Sequence, residues 1–421
     1  MHVVFVDTTL TTWPTGGAQT FLVELAQALV QQDWRVSIIT QPGPELSLVK
    51  ALQQAGAEVR SDLWRPVHLP EERGARLAAW VNSERPEVYV VSISPDAGWL
   101  ALPALNPSIS TVSVAHNDVE AFYEPLAHYA PFIDCAVGVS EEIHRKIISL
   151  SGVPAELARH IPYGVPSLKP AEIEQRLAQP GDGVLGIGYV GRLTQEQKRV
   201  MEFVPLTEAL DKKGVKFELH LIGDGSDRAA LEEAFKQHAP EAPVQFWGWL
   251  SPDEVKSKLI ILDVFILMSD YEGLPVALLE AMGHGLAPVV SSIASGNTQL
   301  VHDGENGFIV STGEVDTFAE RLAALSADTL LLTKMRRAAW EKSREYSAER
   351  MVDRYVTCFD SLTRTADARR QREGVTKPYP VMKSCQSPYP LWLRKVKSHL
   401  KASLATTRTL PVSPSGRNPL G

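Results

Sequence analysis

Cysteine is scarce in this sequence, with three residues among 421. Cys135, Cys358 and Cys385 are odd in number and far apart, and no C-x-x-C pair is present. That spacing argues against a disulfide framework and against a cysteine-rich zinc site, and it suits a reducing cytoplasm. We therefore expect a cytoplasmic protein.

Long apolar runs are also missing. The longest, Leu259 to Met268, is interrupted by Asp263 and is shorter than the ~20 residues that a membrane-spanning helix needs. The N-terminal segment MHVVFVD lacks a basic region and a small-residue cleavage site, so it predicts a strand rather than a signal peptide.

Several motifs that mark other enzyme classes do not occur. The sequence contains no D-x-D, H-E-x-x-H, G-x-x-x-x-G-K-[ST] or G-x-S-x-G. These absences disfavour a metal-held diphosphate, a P-loop and an α/β-hydrolase. We expect neither a metal nor any other cofactor.

Charge is distributed unevenly along the chain. The net charge of −8 gives no reason to expect a nucleic-acid partner. Residues 366–421 hold 11 Lys or Arg against 2 Asp or Glu, so the tail is basic and the body is acidic. The shift to Pro, Ser, Arg and Lys predicts a flexible tail outside any core.

Short β-rich apolar runs alternate with helical patterns, which predicts an α/β protein with parallel sheets covered by helices. Between the first two strands, one helical face carries Phe21, Leu22, Leu25, Ala28 and Leu29. The predicted strands are His2–Val6, Arg35–Ile39, Val88–Ile93, Thr111–Ala115, Cys135–Val139, Val184–Val190, Lys216–Ile222, Val244–Phe246, Val264–Met268 and Pro288–Ser291.

The alternation lapses over residues 166–183, where Pro and Gly cluster without a strand, and then restarts. We interpret this segment as an interdomain linker, and the chain length also favours two domains. The predicted organisation is a Rossmann-like domain at 1–172, a second one at 183–345, a last helix at 346–363 and the tail at 366–421.

Two glycine motifs are similar to phosphate-binding fingerprints. GIGYVG at 186–191 matches G-x-G-x-x-G, but its glycines lie inside a predicted strand, whereas a dinucleotide fingerprint follows a strand and opens a helix. GDGSDR at 223–228 does follow a strand and precede a helix. It is either a ligand loop or a plain tight turn.

The most informative segment is DYEGLPVALLEAMGHGLAPVVSS, residues 270–292, which follows an apolar strand. Parallel α/β sheets bind ligands at that edge. Pro275 suits the first helical turn, because its missing N–H costs nothing there. The unpaired N–H groups around Gly273 to Ala277 would then form an anion site.

Two glutamates accompany this helix start. Glu280 lies in an otherwise apolar helix, where a carboxylate is costly without a partner. It either pairs with a core Lys or Arg or accepts hydrogen bonds from ligand hydroxyls, such as those of a ribose. Glu272, on the preceding loop, either points to the same site or is a solvated acid.

Further candidates lie near the predicted ends of other strands. Arg192 offers a bidentate fork for phosphate and Lys198 a compact charge, although alone they would be a solvated basic loop. GGAQT at 16–20 opens a helix with a glycine pair that suits a phosphate. His116, in AHND, is equally consistent with a catalytic group and with a simple loop histidine.

Taken together, these segments resemble glycosyltransferase family 4, the retaining enzymes of GT-B fold. The resemblance covers roughly residues 1–363, and the spacing Glu272-x7-Glu280 is the signature of that family. It rests on GGAQT, AHND, VGVSEE, IPYGV, GYVGRL with Lys198, LHLIGDGSDR, VQFWGWL, EGLPVALLE and DGENGFIV.

The resemblance implies two Rossmann-like domains facing each other across a cleft, with the last helix crossing back to the N-terminal domain. It places the acceptor mostly in the N-terminal domain and a UDP- or GDP-sugar donor in the C-terminal one. It implies that Arg192 and Lys198, with Gly17, bind the diphosphate. Glu272 and the backbone of Gly273, Leu274 and Pro275 would bind the sugar, and Glu280 the ribose. Gly248 and Trp249 would lie near the base, and His116 beside the reacting carbon.

One departure from the family concerns the basic loop. The spacing Arg192-x5-Lys198 is one residue longer than the commonest form, so Lys198 and Arg199 could exchange roles. None of the departures touches the two glutamates.

The predicted function is metal-independent, retaining transfer of a hexosyl unit from a nucleotide-diphosphate sugar to a hydroxyl of a glycan, a lipid-linked sugar or a small molecule, as in polysaccharide biosynthesis. One alternative is another enzyme of the same fold, such as a sugar-nucleotide epimerase. The other is a non-catalytic nucleotide-sugar-binding protein.

The tail adds a hypothesis about location. Residues 389–404 interleave Leu and Trp with Arg and Lys, a pattern that suits peripheral contact with an anionic inner membrane face. A solvated extension and docking on the acidic body are the alternatives. Membrane contact would favour a lipid-linked acceptor.

Overall fold

The computed structural model describes the chain in five stretches, residues 1–11, 16–43, 47–94, 96–179 and 183–364. The basic tail, with its predicted flexibility and membrane contact, lies outside the described residues.

By its internal contacts the described chain divides into two compact units. One comprises residues 1–11 and 35–111, and the other comprises residues 16–34 and 112–364. Every candidate site residue named above falls in the second unit.

Within the described residues, strands pair in parallel throughout, as the alternating pattern predicts. The strands are β1 (His2–Val6), β2 (Arg35–Ile39), β3 (Glu58–Arg60), β4 (Val88–Val91), β5 (Ser110–Ala115), β6 (Cys135–Gly138), β7 (Ala158–His160), β8 (Leu185–Val190), β9 (Phe217–Ile222), β10 (Val244–Gly248), β11 (Val264–Leu267), β12 (Ala287–Ser291) and β13 (Phe308–Val310).

Two sheets result, with strand orders β3-β2-β1-β4-β5-β6-β7 and β10-β9-β8-β11-β12-β13. The central strands are apolar and buried over their whole length, as β1 and β11 illustrate. Parallel strands of this kind need helical connections on both faces.

Helices supply these connections. They are α1 (Gly17–Gln31), α2 (Ser47–Gln54), α3 (Pro70–Glu84), α4 (Ala97–Ala101), α5 (Glu120–Tyr129), α6 (Glu141–Leu150), α7 (Pro170–Leu177), α8 (Gln195–Lys198), α9 (Phe203–Lys212), α10 (Arg228–His238), α11 (Pro252–Leu259), α12 (Val276–Gly283), α13 (Gly296–Leu300), α14 (Val315–Ala327), α15 (Thr329–Ser343) and α16 (Ala348–Arg364).

Three strands were not predicted from the sequence, and all three lie at sheet edges. β3, β7 and β13 are each three residues long and end their sheets. Because an edge strand is partly exposed, its apolar pattern is short and weak; β3 has no buried residue. The ten strands that were predicted all exist, with ends within two residues of those expected.

The segment predicted as a linker contains a helix. α7 runs over Pro170–Leu177 and buries Ile173 and Arg176. The Arg176 guanidinium donates to the carbonyl oxygens of Leu259, Leu262 and His284. These bonds fasten α7 to the elements of the second sheet.

α16 packs against α1 and β6 within the second unit. The Tyr355 and Phe21 rings lie 5.3 Å apart, and the Cys358 sulfur lies 3.4 Å from that of Cys135. Two of the three cysteines, distant in sequence, therefore meet as buried free thiols.

Candidate active site

The candidate cations and carboxylate follow two neighbouring strands. β8 and β11 pair in parallel, so the loops after Val190 and Leu267 leave the same edge of the sheet. This pairing brings Lys198 and Glu272 together, although they are far apart in sequence.

Lys198 and Glu272 form a buried ion pair. The Lys198 Nζ lies 2.5 Å from the Glu272 Oε1, and the Ser269 hydroxyl donates to the same oxygen at 2.6 Å. Glu272 is 5% exposed, which excludes a solvated loop acid. A buried ion pair of this kind is stable only while both partners are present.

Arg199 is turned away from this pair. Its backbone is left-handed, with φ of 49°, and its guanidinium pairs with Glu202 and, at 3.1 Å, with Asp270. The structure therefore directs Lys198, and not Arg199, toward Glu272.

Arg192 reaches the same group of loops through a glutamine. Its Nη2 donates to the Gln197 Oε1 at 2.7 Å, and the Gln197 Nε2 donates to the Tyr271 carbonyl at 3.1 Å. Arg192 and the residue before Glu272 are thus linked by one side chain.

GDGSDR supports the basic loop. A Cβ at Gly223 would lie 1.9 Å from the Gly191 carbonyl oxygen, and one at Gly225 would lie 2.3 Å from that of Leu193. The Leu193 N–H donates to the Asp224 carbonyl, and the Asp227 N–H donates to the Leu193 carbonyl. These glycines are needed because two backbone turns pack against each other, which favours the turn interpretation.

The start of α12 presents unpaired donors. The Gly273 carbonyl accepts from the Ser295 hydroxyl at 2.6 Å and from the Gly296 N–H at 2.9 Å. Among the described residues, the N–H groups of Gly273, Leu274, Val276 and Ala277 donate to nothing. α12 begins at Val276, so Pro275 precedes the first turn rather than lying in it. The N-terminal anion site expected from the sequence keeps its donors.

Two predicted residues from the N-terminal half pack against this helix start. A Cβ at Gly17 would lie 2.8 Å from the Val276 Cγ2, and one at Gly273 would lie 2.1 Å from the His116 carbonyl oxygen. Only glycine fits at 273, since the neighbouring atom is backbone. Gly17, His116 and the Glu272 loop therefore belong to one site.

Glu280 has no partner of opposite charge. Its side chain makes no hydrogen bond or ion pair with another described residue. Burial, and next the charge of Glu24, raise its pKa from 4.5 to about 7. The alternative of a core ion pair is therefore wrong, and the carboxylate remains available to a ligand.

His116 is buried among aromatic rings. Its Nδ1 lies 2.6 Å from the Tyr163 hydroxyl, and its ring centroid is 5.4 Å from that of Phe21. Burial lowers its pKa to about 3, so the imidazole is neutral at physiological pH. It can exchange hydrogen bonds but is not an imidazolium acid.

Gly248 and Trp249 lie apart from the ion pair, at the end of the outer strand β10, two strands from β8. Gly248 has φ of +68°, and its carbonyl accepts from the Gly223 N–H at 2.8 Å. Trp249 is 41% exposed. An exposed indole at the carboxyl edge suits stacking, but the structure does not join it to Lys198.

Three supporting residues were not predicted from the sequence. Gln197 accepts a hydrogen bond from Arg192. Ser269 donates to Glu272, and Ser295 donates to the Gly273 carbonyl. Gln197 lies in QEQK, which is typical of a solvated helix, and serines after strands are common. Nothing in the residues themselves distinguished them.

The described residues contain neither a metal-binding cluster nor a membrane-spanning helix. No group of three or more His, Cys, Asp or Glu is placed to hold a metal ion there. No helix of that part of the chain is long and apolar enough to cross a bilayer.

Two known families match the chain. The family described as Glycosyl transferases group 1 matches residues 173–345, and Glycosyltransferase Family 4 matches residues 15–167. The second match contains Gly17 and His116, and the first contains both glutamates and both cations.

Named relatives match at moderate identity. The putative colanic acid biosynthesis glycosyltransferase WcaL of Escherichia coli is 35% identical over 40% of this chain and 43% of its own. The lipopolysaccharide 1,6-galactosyltransferase of Salmonella typhimurium is 35% identical over 32% of this chain and 37% of its own. The matches thus span about two fifths of these relatives. The lipopolysaccharide core biosynthesis glycosyltransferase LpsE of Rhizobium meliloti is 25% identical over 81% of this chain and 95% of its own.

Solved structures share the fold. The structure of Anabaena Alr3699/HepE in complex with UDP and glucose aligns with a TM-score of 0.69 and 19% identity, over 86% of this chain and all of that one. The apo lipopolysaccharide outer core galactosyltransferase WaaB aligns with a TM-score of 0.67 at the same identity.

Proposed function

Because this chain is a glycosyltransferase of the family 4 type with the GT-B fold, we propose that it transfers a hexosyl unit from a nucleotide-diphosphate sugar to a hydroxyl acceptor, with retention of anomeric configuration. The observation that carries the proposal is the convergence of Lys198, Glu272 and the unpaired α12 donors at one sheet edge.

The diphosphate binds where positive charge and N–H donors meet. Lys198 and Arg192 provide charge-assisted hydrogen bonds, and the N-terminus of α12 adds its dipole. Gly17 packs directly against Val276 at the start of α12, so its backbone lies at the helix end where the diphosphate would bind. These groups stabilise the leaving diphosphate directly, and we propose that no metal ion is required.

The carboxylates bind hydroxyl groups. Glu272 positions the sugar with the backbone of Gly273, Leu274 and Pro275, since its free oxygen lies beside the Lys198 contact. Glu280 binds the ribose, because it is a partly buried acceptor without a partner among the described residues. Trp249 and Gly248 lie at the base end of the donor.

In the transfer step, the bond between the sugar C1 and the diphosphate oxygen breaks and a bond from the acceptor oxygen to C1 forms on the same face. The acceptor proton passes to the departing phosphate oxygen. No protein nucleophile takes part. His116 acts as a neutral hydrogen-bonding group beside the reacting carbon.

The chemistry of the relatives supports a donor and a role. A solved structural relative contains UDP and glucose, and sequence relatives carry names from polysaccharide and lipopolysaccharide synthesis. We propose a UDP-hexose as first donor, with a GDP-hexose as the alternative, and a hydroxyl of a growing cell-surface glycan as acceptor.

Thermal unfolding with UDP-, GDP- and ADP-hexoses tests donor binding, because a ligand of the folded state raises the midpoint. The panel is run in EDTA. One donor class should raise the midpoint, and a midpoint unmoved by every nucleotide sugar would contradict the proposal.

Slow donor hydrolysis, with water as acceptor, tests the chemistry without a known acceptor. We expect free nucleoside diphosphate and a sugar released with the donor's anomeric configuration, read by NMR before mutarotation. An inverted sugar would contradict retention. A changed sugar nucleotide without diphosphate release would favour an epimerase.

A further inference from the structure

We infer that Gln197 is a positioning residue that aligns the diphosphate-binding Arg192 with the sugar-binding loop at Tyr271 and Glu272. The inference rests on the proposed function, and it extends that function to a residue that touches no substrate.

Gln197 is buried in a loop where most residues are partly exposed. It is the third residue of the four-residue helix α8 and is 5% exposed. A buried amide is costly unless both its oxygen and its nitrogen find partners. Gln197 meets this condition by bonding to two different loops.

Three hydrogen bonds cross from Gln197 to its neighbours. Its Oε1 accepts from the Arg192 Nη2 at 2.7 Å, and its Nε2 donates to the Tyr271 carbonyl at 3.1 Å. Its own carbonyl accepts from the Asp270 N–H at 2.9 Å. The bond to Arg192 lies within the segment that follows β8, and the other two fix this segment to the loop after β11.

The register of these bonds explains the ion pair beside them. Gln197 precedes Lys198, and Tyr271 precedes Glu272. The bond between Gln197 and Tyr271 therefore places Lys198 and Glu272 at contact distance. The next residue, Arg199, turns away through its left-handed backbone. The bonds of Gln197 and the Lys198–Glu272 ion pair therefore share one register between the two loops.

The bond to Arg192 serves orientation rather than charge. A guanidinium has five N–H donors in a rigid fork, and Gln197 accepts from one of them. That contact fixes the plane of the fork before a ligand arrives, which lowers the entropy lost on binding.

The test measures the affinity for the nucleoside diphosphate by calorimetry in a double-mutant cycle. The variants are Gln197→Met, which keeps the shape and removes both side-chain bonds, Arg192→Ala, and the pair. UDP, GDP and ADP are the probes. The matched control is Gln195→Met, because Gln195 lies on the same helix and its Oε1 accepts only from the Met201 N–H among the bonds resolved.

We expect Gln197→Met to raise Kd about tenfold, or about 1.4 kcal/mol, while Gln195→Met stays within twofold of the wild type. In the Arg192→Ala background, the Gln197 substitution should raise Kd by less than a further twofold, because the residue acts through Arg192. The inference would be overturned if the increase in Kd of the double variant equalled the product of the two single increases, or if Kd were unchanged in Gln197→Met.

A second variant guards against misfolding. Gln197→Glu keeps an acceptor for Arg192 but loses the donor to Tyr271 and adds negative charge, so its Kd should rise at least as much. An unchanged Kd in this variant also overturns the inference. A wild-type protein that binds none of the three nucleotides would instead refute the proposed function itself.

Discussion

Glu272 and Glu280 differ in what holds them, although both are carboxylates at the start of the same helix segment. Glu272, on the loop before α12, is bound by Lys198 and Ser269. Glu280, one turn into the helix, has among the described residues only the like charge of Glu24 nearby, and its pKa is raised to about 7. Glu272 therefore has its partners within the fold, whereas the Glu280 carboxylate remains available to a ligand.

The difference separates positioning from ligand capture. A carboxylate with a cation and a hydroxyl around it has a fixed geometry before substrate arrives, which suits a group that must orient a sugar for reaction. A partly buried carboxylate without partners in the described part of the chain destabilises the ligand-free protein and gains its partners from a ligand. Predictions that remove one feature at a time test this division.

The largest expected effect is that of Lys198→Met. The substitution leaves Glu272 buried without its counter-charge, so the free energy of unfolding should fall by about 3–5 kcal/mol. Denaturant unfolding measures it, with the more exposed Arg199→Met as control, which should cost less than about 1 kcal/mol. Equal losses of unfolding free energy in the two variants would mean that the Lys198–Glu272 ion pair is no more important for stability than the contacts of Arg199.

Glu272→Gln should act mainly on turnover. If Glu272 orients the sugar, kcat for donor hydrolysis should fall about 100- to 1000-fold, by analogy with the loss of a preorganised transition-state contact. Nucleoside diphosphate affinity should change by less than about threefold, since that ligand has no sugar. A large loss of diphosphate affinity with normal kcat would reverse the assignment of the two glutamates.

Glu280→Gln should stabilise the empty protein at high pH. The folded-state pKa of about 7 exceeds the ordinary 4.5, so the folded state holds this proton more tightly, and wild-type stability falls as pH rises between those values. The variant should be more stable than wild type by up to about 3 kcal/mol at pH 8 and by nothing near pH 4.

The same variant should bind nucleotide less well. Loss of a charged acceptor for the ribose should raise the Kd for nucleoside diphosphate roughly tenfold or more. A variant with unchanged affinity and higher stability would show that Glu280 is a flaw in packing rather than a ligand group.

His116→Gln should lower kcat about tenfold with donor affinity nearly kept, because one hydrogen bond near the reacting carbon is altered. The pKa of His116, lowered to about 3 by burial, keeps the wild-type imidazole neutral from pH 5 to 9. An inflection near pH 6.5 in the wild-type rate profile that disappears in the variant would contradict a neutral role.

Much of this arrangement follows from sequence patterns, and the exceptions have physical causes. Buried strands such as β1 and β11 give recognisable apolar runs, so they are predictable, whereas the edge strands β3, β7 and β13 have only three residues each, too few to give such a run. Glu280 is conspicuous because it interrupts an apolar helix.

Partnerships across the sheet are harder to predict. Lys198 meets Glu272 only because β8 lies beside β11, and local sequence does not encode strand order. The choice between Lys198 and Arg199 depends on one left-handed residue, and Gln197 has the composition of a surface residue. Local pattern identifies candidates, and topology selects their partners.

The smallest expected effect concerns Glu24, on α1, whose charge helps to raise the pKa of Glu280. Glu24→Gln should lower that pKa only in part, because burial is the larger cause. If the ionised Glu280 binds the ribose, nucleotide affinity in the wild type should rise with pH around 7, and in Glu24→Gln the midpoint of this rise should move to lower pH. The matched control is Glu349→Gln, since Glu349 acts on the pKa of Glu24 but not on that of Glu280. The shift is measured from calorimetric Kd values for the nucleoside diphosphate between pH 5.5 and 8.5. The Glu280→Gln profile corrects these values for ionisation of the phosphate. Equal profiles for Glu24→Gln and Glu349→Gln would mean that the Glu24 charge does not act on Glu280. A wild-type affinity that does not rise around pH 7 would mean that Glu280 does not titrate in the site and would leave it without a role in binding.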